Sequence, residues 1–216
     1  MAEKHWKIPK VQAPDYDREQ RGRIAAYEEA LAVQLSAKPA RLEHSLSVAR
    51  TAEAMAVLYG EDAYEARVAG ILHDWAKAYD DDAQRARAER YGVDLGVDPA
   101  LVTNLYHGMV AARELPERWP ELSASVLQAI DRHTTGAADM TPLDMIVFVA
   151  DGIEPRRKDV QGIRRVREMV ERRAPLADVF WESFRNGVVY VLQTDRYLWP
   201  GTLSTYNALA LARARG

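Results

Sequence analysis

Apolar positions recur at the three-and-four spacing of amphipathic helices along nearly the whole chain. Leu42, Leu46, Ala49, Ala52 and Ala56 give Arg41–Tyr59 one apolar face, and Gly60 ends the segment. The same reasoning predicts an earlier helix over Arg23–Leu35, stopped by Pro39. Asp62 and Glu65 have the spacing of a capping box and open a helix through Val68, Ile71 and Leu72. Asp80–Tyr91 is charged enough to read as a solvated helix closed by Gly92. Pro99 and Pro116 bracket a further helical region, and Leu122, Val126, Ala129 and Ile130 form the stripe of another. Thr141-Pro142-Leu143-Asp144 supplies a cap, an N1 proline and an acidic third residue. The run it opens is apolar on all sides to Ala150, which predicts a central, buried helix. Gln161–Arg173, Leu176–Leu192 and a last segment from near Thr202 complete the helices. Val188–Leu192 has strand character but no β-rich partner run. Residues 1–22, with Pro9 and Pro14, show no period and read as a loosely ordered arm. The prediction is an all-α chain: an N-terminal extension over 1–22 and one helical domain over 23–216.

Composition narrows the chemistry. With 216 residues, 48% of them hydrophobic, and a net charge of -3, the chain can bury one sizeable core and is not mainly disordered. A pI near 6.0 gives no global cationic field, so no nucleic-acid partner is expected. Cysteine is absent, so any metal must be held by His, Asp or Glu. Met1–Lys10 has no apolar segment, and the longest apolar run, Met145–Ala150, is far short of the ~20 residues a membrane span needs. A soluble, cytoplasmic protein with no membrane partner is expected.

Four of the five histidines lie at predicted helix ends or beside breaking signals. His44 falls in the first turn of its helix, Asp74 directly follows His73, His107 precedes Gly108, and His133 continues the apolar face that holds Ile130. Asp151 ends the most apolar helix, where a lone ionised carboxylate would lose several kcal/mol of solvation. It needs a cation. Taken singly, each of these histidines reads as a satisfied core residue, and Asp151 could pair with Arg156 or Arg157. Their joint placement changes the reading, because six imidazole and carboxylate ligands suit two transition-metal ions sharing one bridging carboxylate. Asp74, next to His73, is placed to be that bridge. His5, in a proline-flanked arm beside Trp6, has no such context and is left out.

The order His44, His73-Asp74, His107, His133, Asp151 resembles the HD-domain superfamily of metal phosphohydrolases, and the two intermediate histidines resemble its dinuclear members. The strings His73-Asp74-Trp75-Ala76-Lys77, His133-Thr134-Thr135-Gly136 and Ala150-Asp151-Gly152-Ile153-Glu154-Pro155-Arg156-Arg157 are more specific. They are similar to the YqeK-type family of symmetrical bis(5′-nucleosyl)-tetraphosphatases, and the likeness runs over roughly 24–216. Trp75, Asp159-Val160 and the arm 1–22 depart from that pattern. The resemblance implies a helical HD bundle, a di-iron centre and hydrolysis of diadenosine tetraphosphate to two ADP by hydroxide activated at the metals. His44, His73, Asp74 and Asp151 would hold one ion and Asp74, His107 and His133 the other. Iron is the first choice, with manganese or another transition metal as alternatives.

Further roles follow from position. Lys77, three to four residues past the ligand pair, is expected to join Asp74 in the catalytic set and to contact phosphate. Arg157 could grip a phosphate bidentately, and Thr134 and Gly136 are expected to shape a loop whose hydroxyl and backbone N–H groups meet phosphate oxygens. The cluster Arg164–Arg173 reads as a solvated helix face. A homodimer through the arm and the C-terminal helices is compatible with the sequence. The competing readings are a different HD phosphohydrolase acting on a nucleoside mono- or triphosphate or a guanosine alarmone, a di-iron oxygenase, and a helical scaffold with structural histidines.

Overall fold

The computed structural model describes residues 6–215, and His5 lies outside them. The elements in order are α1 (Arg18–Gln34), α2 (Pro39–Tyr59), α3 (Ala63–Leu72), a 3₁₀ turn (Trp75–Ala78), α4 (Asp81–Arg90), α5 (Pro99–Val102) and a 3₁₀ turn (Thr103–Leu105). Then come α6 (Tyr106–Arg118), α7 (Ala124–Arg132), α8 (Pro142–Ile153), α9 (Gln161–Glu171), α10 (Leu176–Gln193) and α11 (Pro200–Arg215). No strand occurs among the described residues, and Val188–Leu192 is the last part of α10. None of the described helices is long and apolar enough to cross a membrane.

Helix α1 begins before the apolar period does. Asp17 and Gln20 form a reciprocal capping box, Asp17 Oδ1 accepting from Gln20 N at 2.8 Å and Gln20 Oε1 from Asp17 N at 3.1 Å. The end of the arm is therefore helical from Arg18. Upstream, Tyr16 donates to Glu53 at 2.7 Å and Trp6 Nε1 to Glu171 at 2.9 Å, so the described arm is fastened to the domain rather than loose. Helix α6 continues through Pro116 instead of stopping there. Asp62 does cap α3, accepting from Glu65 N at 2.9 Å, but the Glu65 carboxylate turns to Ser123 and Ser125 instead of closing the box.

The core is built on α8. Its capping box is complete: Thr141 Oγ1 accepts from Asp144 N and Asp144 Oδ2 accepts from Thr141 N. Leu143, Ile146, Val147, Val149, Ala150 and Ile153 are all buried, as the all-round apolar pattern predicts. Helix α2 is more enclosed than its stripe suggests, since Ser45, Ser47 and Thr51 are also interior. Thr51 offsets part of that cost by donating to Ser47 O at 2.8 Å. Two glycines set the closeness of packing near the histidines. A Cβ on Gly70 would stand 2.5 Å from Ala49 Cα, so α3 lies directly on the α2 backbone. A Cβ on Gly108 would meet Ile130 O at 2.6 Å and the His133 ring at 2.9 Å, so α6 presses on the end of α7.

Gly70→Ala forces two backbones apart, and we expect a loss of roughly 2–3 kcal/mol, a fall in Tm of about 5–10 °C. Gly22→Ala, whose added Cβ meets nothing within 4 Å, should leave Tm unchanged or slightly raised. Thermal melts of the two variants side by side check this.

Candidate metal centre

Six side chains carried by five helices meet in the interior. His44 comes from the start of α2, His73 caps the C-terminus of α3 with Asp74 beside it, His107 opens α6, His133 caps α7, and Asp151 lies in the last turn of α8. The four histidines are buried, and Asp74 is 2% exposed. Three imidazoles are oriented in the same way: Nδ1 of His73, His107 and His133 donates to the carbonyl three residues earlier, on Gly70 (2.8 Å), Asn104 (2.9 Å) and Ile130 (2.7 Å). Each ring therefore turns an unprotonated Nε2 inward. His44 is held differently, its Nδ1 lying 3.0 Å from the buried carboxylate of Glu154.

The inward atoms gather round Asp74. Its Oδ2 is 3.5 Å from His73 Nε2 and 3.7 Å from His44 Nε2, while its Oδ1 is 3.3 Å from His107 Nε2 and 3.9 Å from His133 Nε2. One carboxylate thus faces two pairs of imidazoles with different oxygens. Asp151 Oδ1 completes the first pair, 2.9 Å from His44 Nε2 and 3.9 Å from His73 Nε2. His44, His73 and Asp151, and separately His73, Asp74 and His133, offer ligand atoms within 4.8 Å of one another.

This donor set fits metal ions. Nε2 of His107 and His133 approach to 2.9 Å, and the Thr134 hydroxyl, 3.1 Å from both, can donate to only one of them. His73 Nε2 is buried with no hydrogen-bond partner, and the 2.9 Å contact of His44 Nε2 with Asp151 lacks hydrogen-bond alignment. Lone pairs turned towards one another in a dry interior are unfavourable unless a cation lies between them. The charge states agree. Burial pushes His107 well below its ordinary value and His133 down to about 4, leaving both neutral and able to ligate. Burial pushes Asp74 and Asp151 up, but their neighbours outweigh it and hold both well below the usual carboxylate range: the His73 and His107 rings with the Arg41 guanidinium for Asp74, the Arg157 guanidinium first for Asp151. Burial lowers His44, yet Asp151 and Glu154 together raise it above its usual value.

Two neighbours escape the sequence reading. Arg41 Nη1 donates to Asp74 Oδ2 at 2.8 Å, and Glu154, 1% exposed, backs His44. A helical-face argument reaches both, since Arg41 precedes His44 by one turn and Glu154 follows Asp151 by the same interval. Of the expected phosphate contacts, Lys77 is half-buried in the 3₁₀ turn after Asp74, and its ammonium has no partner among the described residues. Burial lowers its pKa against the pull of Asp74. Arg157 is largely committed, with Nε on Asp151 O at 2.8 Å and Nη2 on Asp151 Oδ1 at 2.5 Å. The Gly136 N–H donates to Arg132 O at 2.8 Å, and its φ of 63° closes the turn that follows α7. Thr134 turns its hydroxyl to the histidines.

The HD domain family model matches residues 41–156, which hold all six side chains. The chain belongs to the HD-domain family. Within it, the chain is 34% identical over 173 residues to a symmetrical bis(5′-nucleosyl)-tetraphosphatase of Halalkalibacterium halodurans, covering 79% of this chain and 89% of that one. It is 32% identical over 186 residues to the enzyme of the same name from Bacillus subtilis, covering 84% and 96%. A crystal structure from Clostridium acetobutylicum, described as a predicted HD superfamily hydrolase involved in NAD metabolism, superposes with a TM-score of 0.77 at 30% identity over 89% of this chain and 97% of that one.

In chelator-treated protein, His133 should bind its proton near 6.5 when unfolded and near about 4 when folded. The unfolded state then carries the extra proton across that window, so stability is fully present above it and falls as pH drops through it. The expected loss is on the order of 3 kcal/mol, and His107 adds to it in the same direction. Denaturant melts between pH 7 and pH 4 should show the slope, and His133→Gln should flatten it.

Proposed function

We propose that this chain is a metal-dependent hydrolase that cleaves diadenosine tetraphosphate and related dinucleoside tetraphosphates symmetrically, giving two ADP. The observation that carries the chemistry is Asp74, a buried carboxylate shared by two pairs of inward-facing imidazole nitrogens. The substrate is taken from the curated relatives, which the chain matches over most of their length. His44, His73, Asp74 and Asp151 would hold one ion and Asp74, His107 and His133 the other, with iron as the first choice. Such ions, when bound, lower the pKa of coordinated water and offset charge on phosphoryl oxygens.

The chain's own residues do the rest. Arg41 and Arg157 fix the two carboxylates, each through a charge-assisted hydrogen bond, so that neither rotates away from the imidazoles. Lys77 supplies the uncommitted positive charge beside Asp74, suited to an oxygen of the tetraphosphate chain. Thr134 borders the His107–His133 pair and can turn its hydroxyl to substrate once those nitrogens are engaged. The group that leaves is a nucleoside diphosphate, a weak base, so no strong general acid is required.

With diadenosine tetraphosphate the sole nucleotide product should be ADP. AMP together with ATP would contradict the proposal. Because water supplies the oxygen, turnover under anaerobic conditions should equal that in air, which a di-iron oxygenase could not match. Asp74→Asn should lose turnover and metal content together, read by elemental analysis of protein purified without chelator. Lys77→Ala should keep its metal and lose roughly 10–100-fold in kcat/KM, the scale of one hydrogen bond to a charged group.

A further inference from the structure

Two arginines of the stretch that reads as a solvated helix face, Arg165 of α9 and Arg172 just past its end, border a cleft. With Arg185 of α10, Arg213 of α11 and Trp181 they line a cavity of about 490 Å³, within the usual size of small-molecule sites. None of its lining residues belongs to the metal cluster. The C-terminal segment that supplies it carries a positive excess: residues 156–216 hold twelve Lys or Arg against six Asp or Glu, in a chain that has 29 against 32.

The cleft is organised by two acids. Glu182, 7% exposed, takes Arg165 Nε at 3.1 Å and Arg185 Nη1 at 3.3 Å. Asp178 takes Arg213 Nη2 at 2.6 Å. These contacts fix three guanidinium groups, yet each commits one nitrogen and leaves the other N–H donors of the fork free. The Arg172 guanidinium has no acceptor among the described residues. Four positive charges therefore stand against two negative ones. Trp181 stacks on Tyr206, ring centroids 5.3 Å apart at 29°, and Arg185 and Arg213 lie 6.0 and 5.6 Å from the indole centroid. Held guanidinium forks around a supported aromatic plate match a ligand with phosphates at one end and a planar ring at the other.

We propose that this cleft is a second nucleotide site, separate from the metal centre, that takes a nucleoside di- or triphosphate with its phosphates among the four arginines and its base against Trp181. Equilibrium dialysis of the metal-loaded protein against ADP tests this, with Asp74→Asn and the double variant Arg172→Ala/Arg185→Ala alongside. One ADP site should persist in Asp74→Asn and weaken at least tenfold in the double variant, whose turnover of diadenosine tetraphosphate should stay within about twofold of the parent. Loss of all ADP binding in Asp74→Asn with the parent's melting profile, or full ADP binding in the double variant, overturns the proposal. Inorganic pyrophosphate and adenosine complete the set. Pyrophosphate binding as tightly as ADP removes the base contact, and adenosine binding as tightly removes the phosphate contact. The readout is independent of the proposed reaction, because ADP binding in the cleft stands or falls whether or not the metal centre cleaves a tetraphosphate.

Discussion

Asp74 is the group on which the arrangement turns. A carboxylate 2% exposed in an interior of ordinary polarity would be strongly destabilising alone, and Arg41 offsets only one of its two oxygens. The other faces the His107–His133 pair, which burial keeps neutral and which therefore supplies no compensating charge of its own. The same side chain thus needs cationic partners on two sides. That requirement ties α2, α3, α6, α7 and α8 to a common point, and it explains why such close backbone contacts are spent there. Gly70 and Gly108 let α3 approach α2 and α6 approach α7, and both glycines lie within one turn of a histidine in the cluster.

Much of this was legible in the sequence, and the reason is local. The boundaries that came through, Thr141 opening α8, Gly60 closing α2 and Asp62 capping α3, are each fixed by a side chain or backbone conformation a few residues away. The six clustered residues could be picked out because all but His44 lie at or near helix ends and because cysteine is absent. What the apolar period could not show was the start of α1, since polar Asp17 and Gln20 build its cap, and the passage of α6 through Pro116. Nor could it show partners set by long-range packing. Arg41 reaches Asp74 across 33 positions and Glu154 reaches His44 across 110. A motif also shows which residues are present but not which of their donors are spent: Arg157 and Gly136 bond to neighbours six and four positions away.

The difference between His44 and the other three histidines follows from where each falls in its helix. At a helix terminus a carbonyl three residues back is available, because the next amide that would claim it is displaced or is itself at the end of the ladder. His73 and His133 are C-caps and His107 follows a 3₁₀ turn, so each finds such a carbonyl and its ring is fixed by its own segment. His44 lies inside α2, where the carbonyls of the preceding turn belong to the helix, so its Nδ1 must look elsewhere. Glu154, just past the end of α8, meets that need. The same carboxylate also accepts from Arg156 N at 2.7 Å, so the turn after α8 is closed by the group that orients a histidine on α2. The central helix therefore contributes Asp151 directly and His44 through Glu154. Displacing its C-terminal end would disturb two of the gathered groups at once, as displacing the end of α3 would through His73 and Asp74, whereas moving the ends that bear His107 or His133 would disturb chiefly those residues.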